Sequence, residues 1–207
     1  LMSCKNDTGK LTEIQGKQIP IDSTYAQTDS IETFVEPYRK RINEVLDSTL
    51  AYAPKPLLLN DGERTSSMGN LMADIVFEQA SPIFNSRSGN TLDFVVLNAG
   101  GVRSIISEGN VSARNAYEVM PFENYIEVVE LSGSATRELI NFVAKSSRRH
   151  PVAGIEIVTD KNGALESVNI QGEPFDESRN YYVASSDYLI NGGPSVGFFD
   201  QIVSRTP

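Results

Sequence analysis

The sequence predicts a mixed α/β fold in which helices pack on a sheet that contains antiparallel strands. Apolar residues recur at helical spacing in several segments, and short apolar runs such as 94–97 have the composition of buried strands. Two alternating segments also flank Asn162-Gly163, the signature of a hairpin turn. The 207 residues are 40 % apolar and 22 % charged. This length and composition suit a soluble domain with a substantial core.

The N-terminal half begins with a predicted helix over 31–50, whose apolar residues form one stripe. Asp29 and Glu32 fit an N-terminal cap, and Pro37 marks either a start or a kink. Prolines within 53–56 end this helix. The three leucines of 57–59 then predict a short buried strand, and a second helix follows Ser66-Ser67.

The C-terminal half alternates between the two element types. The apolar run 94–97 predicts a strand that is buried on both faces and stopped by a glycine turn. Periodicity predicts two further helices, one over 111–120 and one after Ser132-Gly133. It also predicts strands at 125–131, 155–158, 165–170 and 181–184, and we expect the strand at 181–184 to be the last one of the chain.

The N-terminus predicts a tether and a lipid anchor. Leu1 to Cys4 resembles the end of a bacterial lipoprotein signal, in which the cysteine is acylated, so we expect the sequence to start inside a longer precursor. Residues 5–28 are polar, so we expect a tether over 1–28, followed by a connector helix over 29–56 and the folded domain over 57–207. We expect an envelope lipoprotein, periplasmic or on the outer membrane, held to the membrane only through this anchor, since no run of 18 apolar residues exists.

Charge and rare residues narrow the function classes. Eighteen Lys and Arg against 27 Asp and Glu leave a net charge of −9, which argues against nucleic acid as a partner. The sequence holds one His, His150, and one Cys, Cys4. A transition-metal hydrolase normally needs several His, Cys or clustered carboxylates for its metal. A Ser-His or Cys-His catalytic unit would have to use His150, which lies in the loop-like segment 148–151.

The segment 98–103 carries residue types that suit a ligand. It follows a predicted buried strand, and its paired Gly100 and Gly101 allow backbone N–H groups to approach a ligand closely. Arg103 offers a planar set of donors for an anion. Taken alone, the segment fits a glycine turn with a solvated arginine better than a binding site.

Two further segments present aromatic side chains on turns. Phe122 follows a proline and precedes Asn124, whose amide can both donate and accept, a pair that suits a flat heteroaromatic ring. Tyr188 precedes Gly192-Gly193, and two aromatics on separate loops can clamp one ring from both faces. Each segment alone is also consistent with a packed aromatic and a structural turn.

Together, the order and spacing of four motifs resemble a known family, the C-terminal domain of 5′-nucleotidases and related periplasmic nucleotide phosphoesterases. The resemblance covers roughly residues 35–200, and its motifs are Gly69-Asn70-Leu71 with Asp74, Asn98 to Arg103, Pro121 to Asn124, and Asp187 to Gly193. It implies a layered α/β/β/α sandwich with mixed sheets that binds the nucleoside part of a nucleotide.

The resemblance also implies roles for single residues. Phe122 and Tyr188 would hold the base from two sides, Asn124 would reach its edge, and Arg103 would meet the phosphate or the sugar. Arg64 is the local candidate for the further arginines of the family, although its spacing differs. The remaining substrate-binding residues implied by the resemblance are Asn98, Gly100, Gly101, Gly192 and Gly193.

Two departures from the family pattern bear on function. Pro194 stands where a ribose-binding carboxylate usually follows the glycine pair, which puts ribose recognition in doubt. The N-terminal metallophosphatase domain of the family, with its two metals and its His-Asp dyad, has no counterpart in these residues, so no cofactor is expected in this chain and divalent metals are expected in a partner.

Three hypotheses follow for function. The chain is a nucleotide-recognition domain whose metallophosphatase half is a separate polypeptide, or a non-catalytic envelope lipoprotein that binds nucleosides or nucleotides, or a degenerate scaffold domain. A family member usually continues into a final helix beyond Arg205-Thr206-Pro207, so we also expect the sequence to be trimmed there.

Overall fold

A computed structural model describes residues 12–22, 25, 28–192 and 197–207. Cα packing divides the chain into two units, Leu1–Asn43 and Glu44–Pro207. None of the described helices is both long enough and apolar enough to span a membrane. The five α-helices in the described ranges are α1 (Asp29–Leu46), α2 (Ser67–Ser88), α3 (Ala113–Val119), α4 (Gly133–Lys145) and α5 (Asp187–Ile190).

The first unit contains most of α1. The predicted helix is confirmed, with Pro37 inside it, but it ends at Leu46 rather than near residue 50. Its apolar stripe is solvent-exposed and no α1 residue is buried. On this helix Arg39 pairs with Glu32 at 2.9 Å.

The second unit is built from three sheets. The described strands are β1 (Thr49–Ala53), β2 (Phe94–Val96), β3 (Gly109–Ser112), β4 (Ile126–Leu131), β5 (Val152–Ala153), β6 (Ile155–Thr159), β7 (Leu165–Ile170), β8 (Glu173–Pro174), β9 (Tyr181–Ser186) and β10 (Ile202–Thr206). The main sheet has five strands in the order β10-β4-β9-β2-β5, in which only β2 and β9 run parallel. The strands β6-β7-β8 form a second, antiparallel sheet, and β1 pairs with β3.

The main sheet is covered on both faces. Successive residues of a strand point to opposite sides, so each strand contributes side chains to the packing on both faces. Val95, Val128 and Ala184 face α2 and pack in one cluster with Ala73 and Phe84. Their neighbours along the strands face a larger cluster that includes residues of α4 and of the second sheet: Phe94, Val96, Val129, Leu131, Leu139, Ile140, Val168, Ile170, Tyr181 and Val183. The predicted mixed α/β class with several sheets is therefore confirmed.

The predicted hairpin is also confirmed, with Asn162-Gly163 at the turn between β6 and β7. Asp160 accepts the backbone N–H groups of Asn162 and Ala164, each at 2.8 Å, and Gly163 takes a left-handed conformation at φ 81°. The turn chemistry visible in the sequence therefore sets the register of this sheet.

Three expectations were wrong. Residues 57–59 form no strand; they contribute one isolated bridge, from Leu57 to Ile106. The strand at 181–186 is not the last, since β10 follows it, and β1 occupies residues assigned to the end of the first helix. Strands β1 and β10 were not predicted, and neither were the short strands β3, β5 and β8. Both β1 and β10 are largely exposed.

Candidate functional site

Strand directions bring separate loops to one edge of the main sheet. Because β2 and β9 are parallel, the residues after both strands lie at the same edge. Strands β4 and β5 run antiparallel to β9 and β2, so the residues before them lie at that edge too. This topology gathers the loops 97–103, 120–125, 146–151 and 187–192.

A cavity of about 320 Å³, the edge cavity, opens among these loops. Its lining combines two aromatic rings, two amides, two guanidinium groups and a glycine pair, and contains no carboxylate among the described residues. The lining residues are Asn98, Gly100, Gly101, Arg103, Phe122, Asn124, Arg148 and Tyr188.

The loop after β2 is a short 3₁₀ turn, Ala99–Gly101, capped by Asn98. The Oδ1 atom of Asn98 accepts the Gly100 N–H at 3.2 Å, so this side chain has a structural task as well as a place in the lining. Arg103 is held by its backbone N–H, which donates to Val119 O at 2.8 Å, and its Nη1 donates to Gly100 O at 3.2 Å. Its remaining guanidinium N–H groups make no bond to another described residue.

Two hydrogen bonds connect the loop 120–125 to the start of α5. Tyr125 N donates to Asp187 Oδ1 at 3.1 Å, and Asp187 N donates to Tyr125 O at 2.9 Å. Ser186 caps α5 by accepting the Leu189 N–H at 3.3 Å. These bonds extend the pairing of β4 with β9 and set the loop that carries Phe122 beside the helix that carries Tyr188.

The side chains on these two loops are accessible to a ligand. Phe122 is 48 % exposed and Tyr188 is 50 % exposed. The Asn124 amide and the Tyr188 hydroxyl have no hydrogen-bond partner in the described part of the chain. Two half-exposed rings and a free amide at one cavity are suited to an aromatic heterocycle with a polar edge.

Arg148 is a lining residue that sequence reasoning missed. It lies in the loop between α4 and β5, where its backbone N–H donates to Ser146 Oγ at 3.0 Å and its carbonyl accepts the His150 N–H at 3.1 Å. The only signal in the sequence was the pair Arg148-Arg149 in an acidic chain. Its place at the cavity depends on the antiparallel pairing of β5 with β2, which a two-residue strand does not reveal.

Comparison with known proteins identifies the family. The profile described as "5'-nucleotidase, C-terminal domain" matches residues 50–201. This chain belongs to that family. The family predicted from the four motifs is thus confirmed.

Two relatives and one solved structure illustrate what this chain is similar to, the structure in fold alone. A 5′-nucleotidase of Vibrio vulnificus is 27 % identical over 89 % of this chain and 33 % of that protein. The cell wall protein Lmo0130 of Listeria monocytogenes is 25 % identical over 82 % of this chain and 24 % of its own length. The structure of a 5′-nucleotidase precursor from Thermus thermophilus matches 84 % of this chain and 36 % of that one, with a TM-score of 0.67 at 23 % identity. The chain therefore spans about a quarter to a third of these three proteins.

The other residues predicted for the site of this 5′-nucleotidase domain lie away from the edge cavity or outside the described residues. Arg64 donates to the carbonyls of Ala144 (3.3 Å) and Ser146 (3.4 Å) and does not line the edge cavity. Gly192 follows α5 at φ 90° and is also absent from the lining. Gly193, Pro194 and Cys4 lie outside the described residues.

His150 is a loop residue, as predicted, but it is buried, with 6 % of its surface exposed. Its Nδ1 atom lies 3.2 Å from Leu97 O, and its ring packs on Phe142 with centroids 4.9 Å apart. Burial lowers the pKa of His150 below its ordinary value, the bond to Leu97 opposes this shift, and the positive charge of Arg148 adds to it. The imidazole thus anchors the loop behind Arg148 in its neutral form.

Residues of the described ranges do not form a metal centre, since no group of three or more His, Cys, Asp or Glu side chains is placed to hold an ion. The described residues of this chain therefore do not fit the two metals that the resemblance to the family implies, and no chemical step is assigned to a metal on this chain.

Proposed function

We propose that this chain is the nucleotide-recognition part of a 5′-nucleotidase-type phosphohydrolase, with the chemistry supplied by a separate metallophosphatase polypeptide. The observation that carries this proposal is the edge cavity: a 5′-nucleotidase C-terminal domain presents two accessible aromatic rings, a free amide and unpaired guanidinium groups at one edge. These are recognition groups.

Each lining group has a task in this proposal. Phe122 and Tyr188 stack on the two faces of the base, and the Asn124 amide bonds to its edge. Arg103 meets the negative charge of the phosphate or a hydroxyl of the sugar. Base stacking on an aromatic side chain is worth about 1–3 kcal/mol, by analogy with single-stranded nucleic acid binding.

The partner polypeptide would supply two divalent metals and the water that they activate. The contribution of this chain is then orientation, since a substrate held at the correct position reacts as if at high local concentration. His150, the single histidine of the sequence, does not line the edge cavity; it anchors the loop that carries Arg148.

Binding is tested by calorimetry with AMP and UMP on the wild type and on Phe122→Ala and Tyr188→Ala. Each substitution is expected to weaken binding by about fivefold to 150-fold, from the stacking energy above. Tyr117→Ala is the matched control, because Tyr117 is 66 % exposed on α3 and does not line the cavity. Affinities that stay at the wild-type value in both cavity variants would refute the aromatic clamp.

The split enzyme is tested by mixing this chain with a candidate metallophosphatase polypeptide and following phosphate release from AMP. The rate is expected to rise when this chain is added and to fall with Tyr188→Ala but not with Tyr117→Ala. Unchanged rates, together with no complex in light scattering, would exclude the split enzyme. If the rate does not change but the chain still binds the nucleotide, a second candidate function is favoured, that of a binding protein without catalytic activity. The lining of the edge cavity also fits this second candidate.

An envelope location accords with the name of one relative, the cell wall protein of Listeria monocytogenes. A lipid on Cys4 would then anchor the chain through the polar segment that follows. Radiolabelled palmitate supplied to bacteria that express the full-length gene is expected to label the wild-type protein and not Cys4→Ala. Equal labelling of both would refute the anchor.

A further inference from the structure

A second cavity, the arginine cavity, adjoins the edge cavity and encloses about 400 Å³. It lies between the loop after β2, the loop before β5 and the start of α2. Three guanidinium groups line it, those of Arg103, Arg148 and Arg149. No family motif named above includes Arg148 or Arg149, and no role has yet been assigned to this cavity.

The charge of the arginine cavity is unbalanced. No carboxylate lines it within the described residues, although the chain as a whole carries −9. The Arg148 guanidinium makes no hydrogen bond or ion pair to any described residue. Five arginines elsewhere are paired with carboxylates, namely Arg39, Arg114, Arg137, Arg179 and Arg205. Unpaired guanidinium groups that converge on one cavity are the arrangement that a phosphate or carboxylate ligand requires.

The start of α2 also borders the arginine cavity. Ser66, the N-cap of this 22-residue helix, lines the cavity, so the positive end of the helix dipole faces it. The first N–H groups of α2 are already bonded, Ser67 N to Asp61 Oδ1 at 2.9 Å and Met68 N to Leu58 O at 3.0 Å. Asp61 is not among the lining residues, but its carboxylate offsets the field of the helix dipole at Ser67 N and lies within electrostatic range of Arg149, so the anion site depends on the guanidinium groups and not on α2.

The arginine loop is held in place before any ligand arrives. Arg149 Nε donates to Gly62 O at 2.7 Å, which fixes the side chain and leaves its terminal nitrogens available. His150 anchors the next position through Leu97 O, and Leu97 N donates to Pro151 O at 2.9 Å. A preorganised loop loses less conformational entropy on binding.

The two cavities share three residues, Gly100, Arg103 and Arg148. One ligand can therefore occupy both, with a ring in the edge cavity and an anionic group beside the arginines. We propose that Arg148 and Arg149, together with Arg103, form an anion site that receives the phosphate of a nucleotide whose base lies between Phe122 and Tyr188. This inference rests on the proposed function for the base, and it makes the ligand a nucleotide rather than a nucleoside.

The test compares each nucleotide with its nucleoside by calorimetry, using AMP with adenosine and UMP with uridine. The wild type is expected to bind each nucleotide about tenfold more tightly than the nucleoside, as two charge-assisted contacts at an accessible site allow. Raising NaCl from about 0.05 M to about 0.5 M should shrink this difference, because salt screens exposed charges.

The decisive variant is the double substitution Arg148→Gln/Arg149→Gln. It is expected to weaken nucleotide binding more than nucleoside binding and so to remove most of the difference between the two ligands, with Arg103 retained. The control Lys55→Gln/Lys161→Gln removes the same two charges from exposed positions outside both cavities and should retain the difference. Unchanged nucleotide affinity in the arginine variant would overturn the anion site, and so would an equal loss for nucleoside and nucleotide.

A third ligand separates failure of this inference from failure of the proposed function. If the wild type binds neither nucleosides nor nucleotides, the proposed function is wrong, and inorganic pyrophosphate then probes the arginines directly. Pyrophosphate binding that disappears in Arg148→Gln/Arg149→Gln would support the anion site by itself. Absence of pyrophosphate binding in the wild type would overturn it as well.

Discussion

Replacing Gly133 by alanine tests how strongly tertiary packing overrides local preference. Gly133 is the first residue of α4 and is buried. A Cβ atom built on it would lie 2.0 Å from the carbonyl oxygen of Glu177 and 2.5 Å from its carbonyl carbon. Both neighbours are backbone atoms, so no side-chain rotation relieves the contact. The turn that carries Glu177 must therefore move.

The magnitude follows from two opposing terms. Alanine favours a helix over glycine by up to about 1 kcal/mol. Real Cβ atoms essentially never approach other heavy atoms within 3.0 Å, so Glu177 must retreat by about 1 Å. Overpacking that forces such a backbone shift costs about 1–3 kcal/mol, and a shift of this size is expected at the upper end. We expect a net loss of about 2 kcal/mol in the free energy of unfolding.

Urea denaturation followed by circular dichroism measures this change. Ser134→Ala is the control at the next helical position, which is exposed, and its free energy of unfolding is expected to change by less than about 0.5 kcal/mol. A Gly133→Ala protein as stable as the wild type, or more stable, would refute the reasoning, because helix propensity alone would then decide the outcome.

Three further predictions concern buried polar groups. Burial lowers the pKa of His150, so below about pH 6.5 the unfolded chain binds a proton that the folded chain does not bind. The free energy of unfolding should therefore fall by at most about 1.4 kcal/mol per pH unit as the pH is lowered below that value. Urea titrations at several pH values should show this fall in the wild type and a flatter profile in His150→Gln. Thr136→Val should raise the free energy of unfolding by about 1 kcal/mol, since the buried Thr136 hydroxyl has no hydrogen-bond partner in the described chain, and a lower melting temperature would contradict this. Tyr181→Phe should cost about 1–2 kcal/mol in urea denaturation, because the hydroxyl donates to Asp176 O (2.9 Å) and accepts from Asp176 N (2.7 Å); an unchanged midpoint would contradict it.

The sequence predicted the elements whose signals are local. The β6–β7 hairpin follows from Asn162-Gly163, and the buried strand β2 follows from an unbroken apolar run. Ser66 and Ser132 cap α2 and α4 through their own side chains, which accept Gly69 N at 3.1 Å and Ala135 N at 3.2 Å. These features depend on a few neighbouring residues, so the sequence contains all the information needed.

Elements stabilised by distant partners escaped prediction. The edge strand β10 carries Ser204 and Arg205 towards solvent and pairs with β4, where Glu127 forms an ion pair with Arg205 and Glu130 accepts the Ser204 hydroxyl at 2.8 Å. Such a strand has no apolar pattern of its own. Its partner lies more than 70 residues earlier, and only the folded sheet brings the two together.

For the function too, some information is local in the sequence and some depends on tertiary structure. The sequence by itself determined the family and the residue types of the recognition loops, because four ordered motifs and single side chains such as Phe122 and Asn124 are legible without coordinates. Only the tertiary structure decided which of these residues share a cavity. It placed Arg148 in that cavity and directed Arg64 to the end of α4. The physical reason is that strand direction, set by pairing across the main sheet, determines which loops meet at an edge, and that pairing is not encoded in any one loop.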